Sequence, residues 1–244
     1  MVYPASKYPR GNWEPNDFER DEVNFFSDDG TKIVAWYLPR ENSSETILLC
    51  HGNAENAAQS SAYMGQHLRE HLNADVFVFD YRGYGKSEGE PYEAGVLQDS
   101  EAALNFLCEK VSKQPDEIII LGHSIGGGPA VHLASKKGAK LLILQRTFSS
   151  LIDAASGQYP WVPVRYLMKN RYPSQEKIKD FDGPLFQSHG NRDNVINIEL
   201  ARDLYATAPT KSKYFFEVDG MGHYDRLPGE YWTKLKSFVE SLPE

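Results

Sequence analysis

The sequence predicts a mostly parallel α/β sheet of eight strands, with helices on both faces, a short lid insertion and an antiparallel start. Three observations carry that fold class. Short strand-like runs alternate with longer helix-like stretches along nearly the whole chain. Most of the runs are continuously apolar, as central strands covered by helices on both sides require. The stretches between them space their apolar residues at three and four, the helical period.

Taken in order, Glu22 to Ser27 and Lys32 to Leu38 are β-rich runs broken by Asp28-Asp29-Gly30, a hairpin signal. Thr46 to Cys50 ends at His51-Gly52, Val76 to Asp80 at Tyr81-Arg82-Gly83, and Glu117 to Leu121 at Gly122. Leu141 to Leu144, Pro184 to Gln187 and Tyr214 to Val218 complete the strands. The helices are expected at Ala57 to Leu72, Glu93 to Val111, Gly127 to Lys136, Glu199 to Tyr205 and Tyr231 to Val239. One segment breaks the rhythm. Residues 147–180 are rich in aromatics and prolines (Tyr159, Pro160, Trp161, Pro163, Tyr166) and too long for a bare connection. They read as a small lid within a single domain spanning residues 1–244.

Composition narrows the function classes. The 244 residues include 41% hydrophobic and 25% charged residues, ordinary for a globular protein. Two cysteines, Cys50 and Cys108, are too few for a disulfide framework or a metal cage. A formal net charge of -8 argues against nucleic acid as a partner. No run of about 18 apolar residues is present, so no transmembrane segment is expected. Met1 to Arg20 is polar, without the apolar core of a signal peptide, and the expected location is the cytoplasm.

The chemistry starts at Gly122-His123-Ser124-Ile125-Gly126. A G-x-S-x-G pattern arises by chance in roughly one chain in ten of this length. Here it follows a β-branched strand and precedes a helix start at Gly127. That context predicts a sharp turn that holds Ser124 in a strained conformation, its hydroxyl exposed at the carboxyl end of the sheet. A serine hydroxyl needs a base, and the base an orienting carboxylate, in the chain order serine, acid, histidine. Only His132, His189 and His223 follow Ser124. His132 falls on the helix after the nucleophile, and His189 precedes the best acid. His223, in a loop with two glycines, is therefore the candidate base. Asp193 is the only carboxylate in the loop His189 to Val195 and is the candidate acid. Its competing reading is a cap for the next helix, and the two roles are expected to coexist only with difficulty, since both use the same oxygens. The oxyanion hole is expected from the backbone N–H groups of Ile125 and of Asn53, in the loop after the third strand. Tyr159 and Trp161 are candidates to line an acyl pocket, or else to seal the lid against the core.

These stretches resemble one branch of the α/β-hydrolase superfamily, which includes abhydrolase-domain depalmitoylases, bud-emergence-suppressor-like hydrolases and serine-aminopeptidase relatives. Residues Leu48 to Asn56 resemble its H-G-N-A-x-N loop, and Asp80 to Gly89 its D-Y-R-G-Y-G-x-S-x-G signature. The resemblance runs from about Glu22 to the C-terminus. It implies the α/β-hydrolase fold, the triad Ser124, Asp193 and His223, and no metal or cofactor. Glu55 stands where the family usually has glycine, which puts a charge near the oxyanion loop. Arg82 either braces its turn or touches substrate. The expected activity is hydrolysis of a carboxylic ester or thioester of a small or acylated substrate, through an acyl-enzyme. The alternatives are a peptidase of the aminopeptidase type and a non-catalytic binding protein on the same fold.

Overall fold

The computed structural model describes residues 2–9, 12, 13, 15 and 18–243. The Asp28-Asp29-Gly30 turn folds β1 (Asp21–Phe26) back onto β2 (Lys32–Leu38), antiparallel from Phe26↔Lys32 to Asp21↔Tyr37. Gly30 takes φ 81°, a value that a side chain disfavours, and Asp29 accepts from the Thr31 N–H. The other strands are β3 (Glu45–Cys50), β4 (Ala74–Phe79), β5 (Ile119–His123), β6 (Leu141–Gln145), β7 (Leu185–Gly190) and β8 (Lys213–Val218). Among the described residues they form one sheet of order β1-β2-β4-β3-β5-β6-β7-β8. β2 runs antiparallel to β4, and β3 to β8 are mutually parallel.

β3, β6 and β7 are buried at every residue, which follows from their two-sided cover. One face packs on α3 (Glu93–Val111), α4 (Gly127–Lys137) and α8 (Ile198–Thr207), through Leu104, Val131 and Leu204 among others. The opposite face packs on α1 (Ala57–Ser60), α2 (Gln66–Leu72) and α9 (Gly229–Glu240), through Ala57, Leu68 and Leu235. The expected single helix from Ala57 to Leu72 is interrupted by a π turn, Ser61–Gly65. Gly65 lies so close to β2 that a Cβ would stand 3.1 Å from Leu38 Cδ2.

Several strands extend beyond their apolar runs, β6 by Gln145 at its carboxyl end. β5 continues through His123, paired with Gln145, and β7 through Ser188-His189-Gly190, paired with β8. Apolarity stops short of these residues because the sheet buries polar side chains at its carboxyl end. Residues 147–180, between β6 and β7, contain α5 (Leu151–Gln158), α6 (Val164–Leu167) and α7 (Ser174–Lys177). The Ser150 hydroxyl caps α5 by accepting from Asp153 N at 3.1 Å. The N-terminal segment is docked: Gly85 N donates to Ser6 O, and the Tyr3 and Tyr172 hydroxyls meet at 2.9 Å. Among the described residues no helix is long and apolar enough to cross a membrane.

Candidate active site

β5 lies between β3 and β6, so its carboxyl end is central, and the chain leaves it directly into the turn at Ser124. Ser124 has φ 54°, the left-handed region, as the sequence context predicts. Tight packing holds that conformation. A Cβ on Gly126 would run into the Cys50 carbonyl, and one on Gly122 would stand 2.6 Å from Gly126 O. The Thr147 hydroxyl donates to Ser124 O at 2.8 Å. Small residues therefore let the elbow press against β3 while α4 starts at Gly127.

The loops after β7 and β8 meet over this turn. Ser124 Oγ is 3.0 Å from His223 Nε2, and His223 Nδ1 is 2.7 Å from Asp193 Oδ2. The carboxylate accepts, so Nδ1 carries the ring proton and Nε2 is left to accept from the serine. Ser124 and His223 are buried. Burial alone would raise Asp193, but the His189 and His223 rings and the Ile196 N–H outweigh it. They hold the carboxyl well below the usual carboxylate range.

The structure corrects the expected conflict between the two roles of Asp193. Oδ2 faces His223, while Oδ1 accepts from Val195 N at 2.9 Å and Ile196 N at 2.8 Å. The two roles use different oxygens, and the turn that Asp193 closes precedes the helix. The cap of α8 is Asn197, which accepts from Glu199 N. His189 lies beneath, its Nε2 donating to Ile196 O at 2.9 Å and 3.2 Å from Asp193 Oδ2. His132 is remote from the site, between Glu101 and Lys177.

Arg146, directly after β6, was not foreseen. Its guanidinium donates to His223 O at 2.6 Å and to Asp225 O, and so ties down the loop that carries the imidazole. Its sequence signal was an arginine two residues after the apolar run Leu141 to Leu144. Arg82 is settled as structural. Its buried guanidinium grips Asp99 from two nitrogens and also bonds Asp29, Ser27 and Tyr92.

Asn53 and Ile125 border one cavity of about 260 Å³ together with Ser124 and His223. The Asn53 side chain is fixed on both sides, donating to Val2 O at 2.8 Å and accepting from the Tyr84 hydroxyl at 2.7 Å. His51 Nδ1 donates to Gly52 O at 2.8 Å, and burial keeps that ring's pKa low. Glu55 accepts from Gly52 N at 3.2 Å and from the Ser60 hydroxyl, and lies 3.4 Å from His123 Nδ1. Burial pushes the Glu55 carboxyl up, but the His123 ring and the Ser60 hydroxyl outweigh it and hold it at about 2. The charge near the oxyanion loop thus braces that loop's turn.

Most of the remaining cavity wall is apolar, formed by Phe148, Leu151, Ala154, Val195 and Ile196, and Tyr159 and Gln158 also border it. Trp161, named with Tyr159 from sequence, is not part of that wall. α5 ends at Gln158, and the following turn carries Trp161 outward, 77% exposed and edge-on to Tyr159 at 6.3 Å. Neither aromatic seals the lid to the core, since Tyr159 is itself 53% exposed. The missed wall had a helical signature, Leu151, Ala154, Ala155 and Gln158, one face of α5.

The chain thus turns from a central strand of a doubly wound sheet through a serine elbow into a helix, and the family match agrees with that arrangement. The alpha/beta hydrolase fold family model matches residues 45–166, and the chain belongs to that family. Among similar proteins, alpha/beta hydrolase domain-containing protein 17B of Homo sapiens is 32% identical over 236 residues, covering 94% of this chain and 80% of that protein. Uncharacterized protein YfhR of Escherichia coli (strain K12) is 30% identical over 253 residues, covering 99% and 86%. Among solved structures, the Pyrococcus furiosus esterase Pf2001 superposes with a TM-score of 0.79 at 21% identity, covering 99% of both chains.

Proposed function

We propose that the chain is a serine hydrolase that cleaves carboxylic esters or thioesters through an acyl-enzyme. The observation that carries this reading is the continuous relay from Ser124 Oγ to His223 Nε2 at 3.0 Å and from His223 Nδ1 to Asp193 at 2.7 Å. Ser124 attacks the carbonyl carbon as His223 takes its proton. The carbonyl oxygen becomes an oxyanion held by the Asn53 and Ile125 amides. His223 then gives the proton to the leaving alcohol or thiol, and water repeats the sequence to release the acid. Asp193 keeps the ring in the tautomer that accepts from serine. The apolar wall from Phe148 to Ile196 suits an acyl chain better than a charged peptide terminus. Residues 147–180 act as a small lid over that chain. That the Pyrococcus furiosus neighbour is an esterase supports the same reading.

The test is hydrolysis of p-nitrophenyl esters from acetyl to palmitoyl beside matched thioesters, with labelling by a fluorophosphonate. Ser124→Ala is expected to abolish labelling and to lower kcat by about 10⁴-fold or more. A wild-type chain that neither labels nor turns over any substrate would overturn the reading.

A further inference from the structure

The lid segment that walls the acyl cavity also turns large apolar side chains outward. Tyr159, Trp161, Tyr166 and Leu167 are all exposed and lie close together in the sequence. Tyr166 is 89% and Leu167 66% exposed, so, like Trp161, they project into solvent and do not lie along the surface. The fold holds them there. α6 buries only Val164, which leaves Arg165, Tyr166 and Leu167 without a core to cover. The turn before α6 is fixed by Val162 N, which donates to Tyr159 O at 3.0 Å. Arg165 ties α6 to α5 by donating to Asp153 at 2.6 Å. Apolar side chains that the core does not use, held out on a structured turn, mark a contact surface.

The local charge points to the kind of contact. Between Asp153 and Glu176 the sequence has no acidic residue, but it has the cations Arg165, Lys169 and Arg171. In a chain of formal net charge -8 this segment reverses the sign. All three cations are exposed. Arg165 is shared with Asp153, whereas Arg171 donates to the Arg165 carbonyl at 3.4 Å and so brings a second guanidinium to α6. Tryptophan and tyrosine beside lysine and arginine suit the headgroup layer of an anionic bilayer. There the rings bury their apolar bodies, keep their polar tips wet, and the cations meet lipid phosphates. Projecting side chains need no matching pocket in a fluid layer, whereas a folded protein partner would have to supply one. The place of the patch also fits. Tyr159 borders the acyl cavity, and so does Tyr224, which is 84% exposed.

We infer that the lid tip, from Tyr159 to Arg171, docks on an anionic lipid surface and sets the mouth of the acyl cavity against it. Docking of this kind goes beyond the acyl-enzyme reading and does not depend on it.

The experiment is sedimentation of the full chain with vesicles of phosphatidylcholine alone or of an equal mixture with phosphatidylglycerol. Trp13, Trp36 and Trp232 are buried, so a blue shift of tryptophan emission on binding reports Trp161. The wild-type chain is expected to partition onto the mixed vesicles at least about tenfold more strongly than onto neutral ones, with that shift, and to be released by salt. Tyr166→Ser combined with Leu167→Ser is expected to cost about tenfold in partition. Lys169→Gln combined with Arg171→Gln should bring binding to the mixed vesicles close to the neutral value. Both pairs should leave Tm unchanged, since the side chains are exposed. Should either pair fail to fold, the lipid and salt dependence of the wild type decides alone. Wild-type chain left in the supernatant overturns the docking and leaves an acidic protein partner as the occupant. Binding without the emission shift, binding indifferent to lipid charge, or folded variants that bind like wild type overturn it too. Hydrolysis of water-soluble p-nitrophenyl acetate without vesicles, measured alongside, tests the acyl-enzyme reading separately.

Discussion

Asp193 has one oxygen on the imidazole and the other on two backbone amides of its own turn, so a single side chain links the proposed catalysis to the fold. Asp193→Asn keeps a carbonyl oxygen but presents an amide to His223 or to the turn, and favours the wrong tautomer. It is expected to lower kcat by about 10⁴-fold on the best p-nitrophenyl ester. Its stability effect has a definite sign. The folded carboxyl is held below its unfolded value, so its contribution is complete above the usual carboxylate range and is lost as pH falls through that range toward the folded value. Asp193→Asn should cost on the order of 2 kcal/mol at pH 7, and the gap in Tm from wild type should narrow below about pH 4. Ser124, Asp193 and His223 were legible because chain order and loop composition left few candidates. The division of the Asp193 oxygens and the grip of Arg146 were not, because both depend on loop paths that no periodicity encodes.

At the scale of elements, alternation of apolar runs and helical stretches gave each strand of the sheet to within a few residues. The polar ends of β5 and β7 escaped that criterion because they are buried by the loops above them rather than by helices. The elbow depends on glycines whose missing side chains leave room for the end of β3 at Gly126 and for the elbow and the start of α4 at Gly122. Gly126→Ala is expected to cost about 3 kcal/mol, read as a lower urea midpoint, because the obstacle is backbone at Cys50 and not a movable side chain. α5 was hidden in a segment read from its prolines and aromatics only as a small lid. Its inward face gives a second expectation. Ala155→Phe should shift the acyl-length optimum toward shorter chains and cost the longest ester about tenfold in kcat/KM.

At the scale of the molecule, the site draws on both ends of the chain, from Val2 to His223. Asn53→Ala leaves the backbone N–H in place but removes the links to Val2 and to Tyr84. It should lower kcat on the order of tenfold to a hundredfold through misplacement of that amide, with little change in Tm. The N-terminal docking could not be read from a polar, patternless segment, since only the folded sheet creates the surface that it covers.

The separation of 99 positions between Ser124 and His223 also sets a timetable. During synthesis at about 5–20 residues per second, the serine precedes its base by roughly 5 to 20 s. Over part of that interval β6 is an apolar edge awaiting β7, and a parallel pairing of this kind forms slowly. A ribosome stalled in between therefore holds a chain with a serine elbow and without its proposed base. Such a fragment exposes that apolar edge to aggregation, and the proposed hydrolysis becomes possible only when the last strands bring His223 to Ser124.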